Sequence, residues 1–162
     1  RLFGHASLPA QLEFVPPVAT IFPSMFLHGG ALHLAGNVLF LWLFGDGVEA
    51  AMGHVRFVLF FFVCGALAAL AQALPDASSP SPMIGASGAI SALVAAHLIC
   101  CPGTRFTIGP LPRFLGPPRR ISALFVCGAW LLMLVAGAGL RAHLCAFVAG
   151  LALTPLFLMG RR

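Results

Sequence analysis

Five apolar runs, at about 31–52, 57–74, 83–101, 121–138 and 142–159, restrict what this sequence can fold into. Each holds about 18–22 residues, enough to cross a hydrocarbon core of roughly 30 Å at about 1.5 Å per residue as a helix. The second has Gln72 as its one strongly polar side chain, and the fourth has no ionisable group besides Cys127. Of the 162 residues, 60% are hydrophobic and 8% charged, where a soluble domain normally carries about 25% charged residues. No period-two alternation is present, and an open sheet cannot satisfy its backbone in lipid. No strands are therefore expected. The sequence reads as an all-α polytopic membrane protein, with the first span interrupted near its end by Gly45-Asp46-Gly47.

The segments between the runs set organisation and orientation. Residues 1–30 contain Pro9, Pro16, Pro17 and Pro23 among aromatics, a pattern that fits an irregular segment on the external membrane surface rather than a span. The expectation is one domain over 1–162, with a five-helix core at 31–160. The basic residues are all Arg and are scattered, which gives no nucleic-acid footprint. Arg56, Arg105, Arg113, Arg119, Arg120, Arg161 and Arg162 fall on the side entered after the first span, against Arg1 and Arg141 on the other. The positive-inside rule then makes the 53–56 turn, the 102–120 loop and the C-terminus cytoplasmic, and the N-terminal segment and the 75–82 loop external. Cys64, Cys100, Cys101, Cys127 and Cys145 all lie in or beside apolar runs and read as packing thiols, not a disulfide framework or zinc site. The first 25 residues lack a charged start followed by an apolar run, so no signal peptide is expected. The natural chain is expected to begin further upstream.

Polar side chains inside spans are costly and mark function. His33 and Asn37 lie on the first span, Ser87 on the third and His143 on the fifth, each within two turns of the external end. Ser87 stands in Gly85-Ala86-Ser87-Gly88 at a helix start, where backbone N–H groups lack intrahelical partners. A serine needs a base to take its proton. His143 is the candidate, and apolar surroundings favour a neutral imidazole able to accept one. Asp46 and Glu49 sit at the inner end of the first span and Glu13 and Asp76 in external segments, so a Ser-His dyad is expected rather than a triad. His33 and Asn37, four residues apart, share a helix face and can aim N–H groups at one spot, as an oxyanion site requires. Gly85 and Gly88 allow close backbone approach. The four-residue spacings Gly88, Ala92, Ala96 and Ala146, Gly150 read as faces for tight helix packing.

Plainer readings cover the remaining polar residues. Ser91 is expected to bond back to its own helix, His97 to be satisfied or interface-facing, and His5, His28 and His54 to lie in surface segments. His33 and His143 alone could ligate haem or a metal, but that leaves Ser87 and Asn37 unexplained, so no metal or cofactor is expected.

The sequence also resembles the rhomboid family of intramembrane serine proteases, of bacterial type. The resemblance lies in Phe26-Leu27-His28-Gly29-Gly30 followed by His33 and Gly36-Asn37, in Phe44-Gly45-Asp46-Gly47-Val48-Glu49, in Gly85-Ala86-Ser87-Gly88-Ala89-Ile90, and in Ala142-His143 with Gly150 seven residues later. It implies a rhomboid-like helical bundle with Ser87 as nucleophile and His143 as general base. His33, Asn37 and the Ser87 N–H would form the oxyanion site, with Gly85, Gly88 and Gly150 shaping it. Implied partners are the lipid bilayer and single-span membrane protein substrates, cut near the external face of a bacterial inner membrane. No cofactor is implied. The family core has six helices and this chain shows five, the first being absent; Ala146 stands where the family usually has Gly; and a Trp-Arg pair of some members' first external loop is missing. The rival reading is a catalytically inactive rhomboid-like binder of membrane segments; such relatives typically lose the Ser or the His, and both are present here.

Overall fold

A computed structural model of the protein describes residues 17–73, 84–108, 119–135 and 139–160. A 3-10 turn at Pro17–Thr20 leads into the one-turn helix α1 (Ile21–Ser24). The main helices are α2 (Ala31–Met52), α3 (His54–Ala73), α4 (Ser87–Cys100), α5 (Ala123–Val135) and α6 (Leu140–Leu158). Three of them, α2, α3 and α6, are long and apolar enough to cross a membrane. The outside of the bundle is apolar, with Leu32, Trp42, Val55 and Leu132 exposed, as lipid contact demands.

Four expectations are corrected. Strands do occur: β1 (Arg105–Ile108) pairs antiparallel with β2 (Arg119–Ser122), Phe106 opposite Ile121. The ban on open sheets holds only inside the hydrocarbon, and this ribbon joins the two ends of the connection between α4 and α5 rather than forming a span. The third and fourth spans are shorter than expected, at 14 and 13 residues. The chain before Ser87 turns through Gly85 at φ +95, and β2 takes up Ile121 and Ser122; residues 83 and 136–138 lie outside the described residues. Helix α3 begins at His54 rather than near 57, because Gly53, at φ +85, closes α2 in a single residue with its N–H on the Glu49 carbonyl at 2.7 Å. Finally, α2 runs unbroken through Gly45-Asp46-Gly47. Gly47 there makes room for a neighbour: a Cβ would stand 2.9 Å from Cys101 Sγ and 3.1 Å from His97 Cε1.

Helix α4 is the centre of the bundle. Every residue from Gly88 to His97 is buried, and α2, α3 and α6 all pack on it. One apolar cluster joins Val48, Met52, Phe60, Cys64, Leu93 and Ala146; another joins Phe44, Ile90, Val94, Cys127 and Trp130. The small-residue faces meet as the spacing predicts. A Cβ on Gly150 would lie 2.5 Å from the Ala92 carbonyl oxygen and 2.7 Å from its Cα, so α4 and α6 touch backbone to backbone there. At the opposite end, Arg56 Nη1 donates to the Phe157 and Met159 carbonyls at 3.1 and 2.9 Å, closing the C-terminal end of α6. The N-terminal segment is tied in through Met25, whose side chain packs against Gly65 of α3, and through the Ser24 carbonyl, which accepts the Gly85 N–H at 2.9 Å.

Gly150→Ala should therefore lower stability by about 1–3 kcal/mol through overpacking against rigid backbone. Gly128→Ala is the control, since nothing lies within 4 Å of a Cβ there, and alanine is the better helix former by about 1 kcal/mol. Thermal unfolding in detergent should show a clear drop for the first and none for the second; equal unfolding temperatures would remove the close α4–α6 contact as the keystone.

Candidate active site

Ser87 is the first residue of α4. The first bond of that helix runs from the Ile90 N–H to the Ala86 carbonyl at 3.0 Å, so the N–H groups of Ser87, Gly88 and Ala89 have no acceptor within it. Ser87 is half-buried, whereas Gly85 and Gly88 are buried. Glycine is required at 85 for two reasons. Its φ is positive, and a Cβ would stand 2.8 Å from His33 Cε1, 3.0 Å from His33 Nε2 and 3.6 Å from Asn37 Nδ2. The turn before Ser87 is thereby pressed against the His33 and Asn37 face of α2.

The hydrogen bonds fix what that face offers. The Gly29 N–H donates to His33 Nδ1 at 3.2 Å. In a neutral imidazole the proton must then sit on Nε2, the edge turned toward Gly85. Asn37 is buried and donates from Nδ2 to the His33 carbonyl at 3.0 Å. An amide nitrogen has two hydrogens, so one remains. Both residues thus present an N–H next to the Ser87 turn. The His28 ring meets that of His33 edge-on, with centroids 5.3 Å apart.

His143 lies in the first turn of α6, which opens from Gly139 at φ +93. It is buried, at 7% exposure. Its Nδ1 lies 3.2 Å from Ser91 Oγ, which in turn lies 3.0 Å from the Ser87 carbonyl oxygen. On its Nε2 edge the ring faces Gly139, where a Cβ would be 3.7 Å away. Ser87, His143, His33 and Asn37 are therefore gathered at one end of the bundle. Gly150 acts lower down, as the helix contact already described. No carboxylate joins them among the described residues: Glu49 is at the far end of α2 with His54, at 2.6 Å; Glu13 and Asp76 lie outside the described residues. No group of three or more metal-ligating side chains occurs among the described residues.

Two residues at this site escape a reading of sequence. Ser91 does bond back to its helix, Oγ to the Ser87 carbonyl at 3.0 Å. The same oxygen also meets His143 Nδ1 at 3.2 Å and Trp130 Nε1 at 3.3 Å. The signal for Ser91 was its position one turn after Ser87, on the same helix face; for Trp130, in an apolar helix, there was none. His97 is an interface residue, as expected. It is buried at the other end of α4, with Nδ1 on the Phe44 carbonyl at 3.2 Å.

A half-buried serine at a helix start, a buried imidazole joined to its carbonyl through Ser91, and two side-chain N–H donors facing the turn before it form an arrangement that can support acyl transfer. Comparison with known proteins gives the family. The Rhomboid domain model matches residues 17–160. The Rhomboid protease GluP of Bacillus subtilis (strain 168) is 42% identical over 72 residues, 44% of this chain and 14% of that protein. RHOMBOID-like protein 5 of Arabidopsis thaliana is 34% identical over 74 residues, 46% of this chain and 24% of that protein. Rhomboid-related protein 3 of Homo sapiens is 38% identical over 74 residues, 46% of this chain and 18% of that protein. The match thus spans a quarter or less of each relative's own length. With apolar membrane-crossing helices and a family match over nearly its whole length, this chain is an integral membrane protein that belongs to the rhomboid family.

Proposed function

We propose that the protein is an intramembrane serine endopeptidase that cleaves single-span membrane proteins near the external face of the membrane. The observation that carries this reading is the gathering of the Ser87 helix start, the His143 ring joined to it through Ser91, and the His33–Asn37 face at one end of the bundle. In the reaction, Ser87 Oγ attacks the scissile carbonyl carbon while its proton passes to His143 Nε2. The carbonyl π electrons move to oxygen, and the oxyanion accepts hydrogen bonds from His33 Nε2–H, the free Asn37 Nδ2–H and the Ser87 N–H. The C–N bond then breaks, the nitrogen takes the proton from the imidazolium, and the amine fragment leaves. Water, deprotonated by His143, hydrolyses the acyl-serine ester and returns the proton to Ser87. No cofactor enters. The five helices α2 to α6 all cross the membrane in this reading, the shorter α4 and α5 included, and residues 1–162 form one domain in a bacterial inner membrane.

Ser87→Ala should abolish cleavage of a model single-span substrate in detergent and leave thermal stability nearly unchanged, since loss of a covalent nucleophile costs orders of magnitude in rate. Retention of more than a few per cent of activity would remove Ser87 as the nucleophile. A folded wild type that binds the substrate without cutting it would instead support the inactive binder.

Asn37→Ala should lower kcat by about ten- to a thousandfold with a much smaller change in KM. His33→Ala should behave similarly, and the double variant should cost less than the two singles summed. A raised KM with kcat intact would make Asn37 a substrate-binding residue; loss of stability alone would make it a packing residue.

The Arg distribution supports a cytoplasmic 102–120 loop. In a background without native Cys, a cysteine at position 109 should resist an impermeant thiol reagent in intact cells, and one at position 79 should react. The reverse pattern would overturn the orientation.

A further inference from the structure

The Ser91 hydroxyl has three neighbours, and its chemistry leaves one way to satisfy them. A hydroxyl offers one hydrogen and two lone pairs. The Ser87 carbonyl, at 3.0 Å, can only accept, so it takes the Ser91 hydrogen. The Trp130 indole N–H, at 3.3 Å, can only donate, so it takes one lone pair. The remaining neighbour is His143 Nδ1, at 3.2 Å, and the remaining capacity on Ser91 is a lone pair. His143 Nδ1 must then carry a hydrogen. In the neutral ring that leaves Nε2 bare, with a lone pair to accept a proton. Ser91 and Trp130 are shut away from water, at 0% and 3% exposure, so no solvent competes for these bonds.

We infer that Ser91, held by Trp130, is the positioning residue that fixes the tautomer and ring orientation of His143, in the place a carboxylate occupies in a Ser-His-Asp triad. The inference deepens the protease reading and rests on it for its kinetic consequence, though not for the tautomer itself. A serine suits this place because it is neutral. A carboxylate there would have to be desolvated, which is costly for a charged group. The arrangement also ties α5 to the site: the indole N–H is a polar contact from α5 to the face of α4 that carries Ser87.

The test is a nitrogen-15 NMR spectrum of histidine-labelled protein in lipid nanodiscs, with the His143 signals assigned by comparison with His143→Gln. The wild type should show a protonated Nδ1 and a bare Nε2. Ser91→Ala should move His143 to a mixture of tautomers. It should also lower kcat by about ten- to a hundredfold, as commonly follows loss of a histidine's outer hydrogen-bond partner, with KM changed by less than about twofold. Ser91→Thr, which keeps the hydroxyl, should return the wild-type spectrum. Trp130→Phe, which removes only the N–H, should shift the tautomer in the same direction as Ser91→Ala. A wild-type proton on Nε2, or an unchanged tautomer in Ser91→Ala whatever its activity, would overturn the inference. Failure of the protease reading is seen separately, as cleavage that survives Ser87→Ala, and leaves the spectrum to be read on its own.

Discussion

The backbone contact between Gly150 and Ala92 is the constraint on which the site depends. Side chains normally hold two helices about 8–10 Å apart; here a missing Cβ on one and a lone methyl on the other let the chains themselves touch. Ser87 lies five residues above this contact on α4 and His143 seven above it on α6, offsets of about 7.5 and 10.5 Å along the helices. Ser87 and His143 therefore come to similar depth because of a contact that contains neither of them. Arg56 holds the other end of α6 through the Phe157 and Met159 carbonyls, which fixes the helix along its own axis as well.

Around that contact, the polar groups obey a membrane's terms. A group out of reach of water must find a partner within the protein, and α4 supplies several: the Ser87 carbonyl, the Ser91 hydroxyl and the unpaired N–H groups of its first turn. The helix start leaves N–H groups without an intrahelical acceptor, and the i, i+4 hydroxyl one turn below bonds the Ser87 carbonyl, the His143 ring and the Trp130 indole. The same economy is visible on α2, where Asn37 uses one hydrogen to hold its own helix and keeps the other for the site.

Much of this was legible in the sequence because lipid makes sequence unusually explicit. Apolar runs announce helices, and the rare polar residues within them mark what cannot be spared. The depth coincidence of His33, Asn37, Ser87 and His143 followed from counting turns, and the Gly150 and Ala146 face from four-residue spacing. What spacing could not give were effects of geometry between helices. The ribbon β1–β2 depends on the pairing of two four-residue segments from opposite ends of one connection; the early start of α3 depends on one glycine conformation; and the contact of Trp130 depends on where α5 packs. Ser91 was seen as a self-contained helix hydroxyl, because sequence shows its i, i+4 partner on α4 and not the imidazole and indole that two other helices bring to it.

His33 has its tautomer set by a different kind of group. Its Nδ1 receives a peptide N–H, from Gly29, not a side chain. Every residue but proline supplies that hydrogen, so the proton's place on Nε2 is encoded by the path of the chain into α2 and not by the identity of an amino acid. Evolution can vary the chemistry of position 29 as far as the turn tolerates and leave this feature intact. To lose it by mutation, the backbone itself must be rerouted or its nitrogen closed into a ring.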